Sequence, residues 1–171
     1  MEAADECGFV YDAVENSAVP AALRTACATV ADLLRREELA PVLRIRPAPD
    51  VWSALEYAGH LRDICLAQRD RVLLALVVDT PSFVPICRDQ RAVLARYNED
   101  EPGTVAAELV MAAELFARLL GRLDSAELAR PCLYNYPEPK ERDVGWVGRH
   151  TLHEAIHHLG DVRRVLDLVA G

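Results

Sequence analysis

No two of the five cysteines (Cys7, Cys27, Cys65, Cys87, Cys132) stand in CxxC spacing, and their number is odd. A disulfide framework is therefore not expected, and the thiols read as reduced side chains of a cytosolic protein. No basic segment precedes an apolar one near the start of the chain, and charges interrupt every hydrophobic run short of a membrane span. A basic stripe is missing too: 27 acidic residues outnumber 19 Lys and Arg, a net charge of −8, which argues against nucleic acid as a partner. Internal repeats, low-complexity tracts and domain linkers are absent, and strand patterns are scarce. What remains is a soluble chain of 171 residues, expected to form one domain over 1–171 and long enough to bury a core without disulfides.

Four long stretches carry helical periodicity. The first runs from about Pro20, a residue suited to a first turn, through Leu23, Cys27, Val30, Leu33 and Leu34 toward Leu39. After the proline-rich run 46–50, a second starts near Trp52, where Ser53 and Glu56 have capping-box spacing. It places Leu61, Ile64, Cys65, Gln68, Val72 and Ala75 on one face and ends before Pro81. Residues 81–103 read as a long connection with a short helical stretch around Asp89 to Tyr97. The third helix is expected over about Thr104 to Leu123 and the last over about Val144 to Val169, with an aromatic, proline-punctuated loop at 131–142 between them. The expected class is all-α: a four-helix bundle with long connections, a fold that builds metal and cofactor sites from facing helices.

Four of the five histidines lie within nine residues of the last helix, His150, His153, His157 and His158. Residues four apart share a helix face, so two chelating pairs are open: His153 with His157, and Glu154 with His158. The helix's own apolar stripe (Leu152, Ala155, Leu159, Val162, Val165, Leu166) separates them. The Glu154 and His158 pair falls roughly 80–100° from its centre, at the core boundary, and the His153 and His157 pair roughly 160–180° away, facing solvent. His150 is assigned to the solvated face as well. The remaining histidine, His60, sits at the edge of the second helix's stripe and is the natural third ligand. Two imidazoles and one carboxylate suit zinc, nickel or iron, and three protein ligands leave positions open for water or substrate.

The run His157-His-Leu-Gly-Asp-Val162 resembles the HHxGQ element of the DinB/YfiT-like metal-binding four-helix bundles, and Trp52-Ser-Ala-Leu-Glu-Tyr-Ala-Gly-His60-Leu resembles their second-helix element. That resemblance implies one ligand on the second helix and an i, i+4 pair on the last. Many members use two histidines for the pair. The mycothiol-dependent maleylpyruvate isomerase branch instead has glutamate and histidine with an aspartate three residues on, the spacing of Glu154, His158 and Asp161. The added carboxylate shifts the donor set toward harder ions.

The resemblance further implies a thiol-dependent S-transferase or isomerase, using mycothiol, bacillithiol or glutathione on a small electrophile; relatives with this bundle are often homodimers. A metal-dependent hydrolase is the alternative, and a non-catalytic bundle for ligand sequestration or dimer assembly a third. Asp161 could orient a ligand, since metal-bound imidazoles usually donate their other nitrogen to an acceptor, or pair with Arg163 or Arg164. For substrate, Tyr134, Asn135 and Tyr136 offer rings and hydrogen bonds, and Arg142 and Arg149 could meet a carboxylate. The same tyrosines could simply cover the core edge. Cys65 and Cys132 read as packing residues, for want of an activating partner.

Overall fold

In the computed structural model, residues 8–136 and 138–171 are described. Cys7 and Pro137, both part of the sequence expectations, lie outside them. The helices are α1 (Val19–Leu34), α2 (Ala54–Val77), α3 (Arg88–Leu94), α4 (Pro102–Leu120), α5 (Ser125–Leu128) and α6 (Val144–Ala170). The strands are β1 (Ser82–Phe83), β2 (Pro131–Asn135) and β3 (Pro139–Asp143).

Local chemistry sets the helix ends. Ser53 Oγ accepts from the Glu56 amide at 3.2 Å while Glu56 accepts from the Ser53 amide at 2.9 Å, so the expected capping box opens α2. Arg46, reaching across from the preceding connection, donates from Nε to Glu56 at 2.8 Å and ties that connection to the cap. Glu101 accepts from the amides of Gly103 and Thr104 to start α4, with Pro102 in its first turn. Asp143 accepts from the Trp146 amide at 2.6 Å and starts α6. The first helix stops at Leu34, short of the expected Leu39. Arg36 turns extended, Glu37–Leu39 forms a separate 3-10 turn, and Pro41 could not have continued a helix beyond it.

The four long helices form the expected bundle. α1 packs on α4 and α6, α2 packs on the same two, and α1 and α2 lie on a diagonal. Leu23, Cys27 and Val30 of α1, Leu61 and Cys65 of α2, Leu109, Ala113 and Phe116 of α4, and Val147, Ala155 and Val162 of α6 fill the interior. Gly59 of α2 permits a close approach. A Cβ there would lie 3.0 Å from Cγ of Tyr97, a fully buried ring whose hydroxyl donates to Asp63 at 2.6 Å.

The stretch expected as a loop over 131–142 is instead a β-hairpin. β2 pairs antiparallel with β3, and β1 adds in parallel on the other edge of β2, with Ser82 opposite Leu133 and Phe83 opposite Tyr134. Prolines at 131 and 139 disguised the strands, but both open theirs, where proline is tolerated. Along β2 the residues alternate, with Cys132 and Tyr134 turned inward. This small sheet brings Tyr134 and Phe83 against the side of α2 and α6. No helix of the described residues is long and apolar enough to cross a membrane.

Candidate metal centre

The facing turns of α2 and α6 bring His60, Glu154 and His158 together. Oε2 of Glu154 lies 3.6 Å from His60 Nε2 and 3.5 Å from His158 Nε2, and the two imidazole rings are 5.1 Å apart, nearly perpendicular. Both histidines are buried, with Trp52 packed on His60 and Tyr57 on His158. His158 Nδ1 lies 2.8 Å from Asp161 Oδ2; a carboxylate only accepts, so Nδ1 carries a proton, and Nε2 is the nitrogen turned toward Glu154. The other oxygen of Asp161 accepts from Arg164. Asp161 therefore contacts both His158 and Arg164, the two partners weighed for it in the sequence.

His60 Nε2 and His158 Nε2 are buried with no hydrogen-bond partner, and they converge on a carboxylate oxygen at distances too long for an ordinary hydrogen bond. An anionic carboxylate oxygen facing two imidazole nitrogens favours a cation or a proton among them. The donor set fits a divalent ion: one ligand atom from each residue falls within a 4.8 Å cluster. The electrostatics agree. Burial would raise the Glu154 carboxyl, but contacts from His158 and His60 outweigh it and hold it well below the usual carboxylate range. Burial pushes His60 down, with Glu154 opposing only in part. For His158 burial also pulls down, yet Asp161 and Glu154 prevail and raise it.

The other chelating pair is not where helical phase put it. His153 is buried rather than solvated, because the segment before α1 folds over that face of α6. Tyr11 Oη lies 3.1 Å from His153 Nδ1 and 2.9 Å from His150 Nδ1, and the Phe9 ring packs 5.3 Å from His153. A helical wheel counts only a helix's own stripe, so chain returning from elsewhere is invisible to it. The clue was the aromatic pair Phe9 and Tyr11. His150 is half-buried against Trp146, and His157 stays partly exposed, as expected, its side chain 37% accessible.

A cavity of about 360 Å³ opens over the cluster, lined on one side by His150, His153 and His157 and on the other by Phe83 through Gln90. Tyr134 and Tyr136 reach this cavity; Asn135 does not, its amide donating instead to Ser82 Oγ at 2.7 Å. Arg142 and Arg149 also lie outside it. The first stacks 4.3 Å over Trp146, the second donates to Asn16 Oδ1 at 2.6 Å, and both border a separate groove. The residue missed was Arg71, which lines the cavity and sits three turns from His60 on the same face of α2. That spacing was readable.

Cys65 and Cys132 are packing residues, as expected. A hydrogen bond with Cys27 and burial raise the Cys65 thiol well above its ordinary range, and burial pushes Cys132 up to about 11.

A helical bundle with two histidines and a glutamate converging on an open cavity defines a class of metal-capable four-helix proteins. Residues 22–162 match the DinB superfamily, and the chain belongs to it. Among solved structures it is similar to YfiT from Bacillus subtilis, described as "a probable metal-dependent hydrolase with an unusual four-helix bundle topology". The likeness has a TM-score of 0.74 at 17% identity and covers 96% of this chain and 89% of that one, which establishes the shared fold. No curated protein sequence matches the chain.

Proposed function

We propose that the protein is a divalent-metal-dependent enzyme, zinc being the first choice of ion and nickel or iron the others, that activates water to hydrolyse a small substrate. The observation that carries this reading is the pair of buried, unpartnered imidazole nitrogens facing Glu154 beneath an open cavity. His60, Glu154 and His158 would hold the ion, which supplies a Lewis acid with positions free for a nucleophile and lowers that nucleophile's pKa toward neutrality. Asp161 keeps the His158 proton on Nδ1, leaving Nε2 as the ligand atom. Trp52 and Tyr57 pack against the ligand rings and hold them in place. His157, on the cavity wall and partly exposed, can take up the nucleophile's proton and exchange it with solvent.

Thiol transfer or isomerisation is the second reading, favoured by the Glu154, His158 and Asp161 spacing of the thiol-using branch and by the 2.8 Å contact inside it. The cavity volume favours water, because it lies at the small end for ligand sites and would have to admit both a thiol cosubstrate and an electrophile. Elemental analysis of the protein purified without added metal or chelator should find about one ion per chain, lost in His60→Ala. Ester and amide hydrolysis without added thiol then supports the first reading. Turnover that requires mycothiol, bacillithiol or glutathione supports the second. No ion in either protein after reconstitution would reject both and leave a non-catalytic bundle.

A further inference from the structure

We propose that the cavity selects a small organic anion, a carboxylate, and that Arg71 holds its head group at the end remote from His60, Glu154 and His158. The face of α2 that lines the site presents, in order, His60, Ile64 and Arg71, all within about 40° of arc, with the fully buried Gln68 three residues before Arg71. Arg71 lies eleven residues beyond His60, about 16 Å along the helix axis before the side chains lean toward one another. Ile64 and Phe83 line the cavity as apolar wall. The succession along the cavity is therefore ligand, apolar wall, cation, with the Gln68 amide supporting the cation from behind.

The guanidinium of Arg71 is held in place entirely by neutral groups. Nη1 donates to Gln68 Oε1 and to Tyr134 Oη, each at 3.1 Å, and Nη2 donates to the Val84 carbonyl. Its central carbon lies 5.2 and 5.6 Å from the ring centres of Tyr134 and Phe83. No carboxylate of the described residues comes within ion-pairing distance of it, in contrast to Arg24, Arg46, Arg62, Arg91 and Arg164. Its charge is thus fixed in direction but not neutralised, with two of its five N–H donors uncommitted. Tyr134 adds a third donor. Its oxygen already accepts from Gln68 Nε2 at 2.8 Å and from Arg71, so both acceptor positions are filled and the hydroxyl proton remains to donate.

A planar guanidinium fork beside one O–H matches a carboxylate, which accepts in a plane through two oxygens. The other cation on the cavity, Arg88, is exposed and faces Asp89 at 4.0 Å, so it offers less net charge. The identity of the far end of the substrate rests on the proposed function; the anion site does not. Building the site from Gln68 and Tyr134 also explains a fully buried glutamine in an otherwise apolar stretch of α2.

The test is calorimetric titration of the full chain, metal-free and zinc-loaded, with hexanoate, hexanamide and butyl phosphate. Metal-free protein should bind hexanoate about tenfold or more tighter than hexanamide, and Arg71→Gln should remove that preference while binding of hexanamide is unchanged. Zinc stoichiometry should be the same in Arg71→Gln as in wild type, which separates this proposal from the metal reading. Arg71→Lys should recover part of the preference, and Tyr134→Phe should weaken hexanoate alone. An anion preference that survives Arg71→Gln, or one that exists only with zinc bound and vanishes in His60→Ala, would overturn the proposal. Tighter binding of butyl phosphate than of hexanoate would overturn the carboxylate assignment.

Discussion

Replacing Asp161 by asparagine should weaken metal affinity about ten- to a hundredfold, about 1.4 to 2.7 kcal/mol. One oxygen of Asp161 accepts from His158 Nδ1 at 2.8 Å and the other from Arg164, so the carboxylate uses both ends as acceptors. An amide has one oxygen and one NH₂. If the oxygen stays on His158, the NH₂ opposes the Arg164 guanidinium, donor against donor. If the amide flips, its NH₂ faces Nδ1 and drives the imidazole proton onto Nε2, the atom that faces Glu154. Both arrangements cost the site, the first by replacing the carboxylate that accepts from His158 with a neutral oxygen and the second by protonating the ligand nitrogen. With side-chain exposures of 6% and 3% for Asp161 and His158, water has little access to make up the loss. Competition against a chromophoric zinc chelator near neutral pH reads the affinity, and thermal unfolding of the metal-free proteins checks that the fold is intact. Arg164→Ala is the control. That residue is 63% exposed, and removing it should change zinc affinity little. Wild-type affinity in Asp161→Asn would refute the idea that Asp161 fixes the His158 tautomer.

Glu154→Ala and His158→Ala should abolish stoichiometric metal, while His153→Ala keeps it and instead lowers stability by about 1–2 kcal/mol through loss of the buried Tyr11 contact, measured by urea unfolding; metal lost in His153→Ala but kept in Glu154→Ala would reverse the ligand assignment. Gly59→Ala gains helix propensity yet should destabilise by about 1–3 kcal/mol, because the new Cβ meets a Tyr97 ring that cannot retreat; a rise in melting temperature would contradict that packing. Burial opposes ionisation of Glu56 and Asp63, but hydrogen bonds from Arg46 to the first, and from Tyr97 and Arg62 to the second, leave both folded-state pKa values depressed. Their stabilisation is therefore present above the unfolded-state pKa and lost as pH falls through the folded one, so the penalty of Asp63→Asn should shrink between neutral pH and pH values below about 4; a penalty independent of pH would count against it. Alkylation of the native protein should label Cys87, the exposed thiol among the described residues, and spare Cys27, Cys65 and Cys132, as peptide mass mapping would show.

How far the chain could be read ahead of its structure depended on the range of the forces involved. The capping box at Ser53 and Glu56 is a contact between residues three apart, and it formed as expected. The choice of Glu154 and His158 over the flashier His153 and His157 followed from 3.6-residue geometry, and the structure brings that pair to His60. The hairpin at 131–143 was missed because its strands are short and proline-flanked, and their pairing is decided by contact with β1 and α2 rather than by local preference. Arg142 and Arg149 were plausible by charge alone, but neighbours outside their own segment, Trp146 and Asn16, set where they point.

The long helices, the capped start of α2 and the helix faces that carry His60, Glu154 and His158 were thus legible in the sequence, since periodicity and capping act within a few residues of chain, whereas the meeting of those faces is a tertiary outcome. Only the tertiary structure decided that Tyr11 buries His153, that β2 delivers Tyr134 to Gln68 and Arg71, and that a cavity rather than packed side chains covers the cluster. Those outcomes depend on segments separated by as many as 142 residues meeting in space, and no local pattern encodes such a meeting.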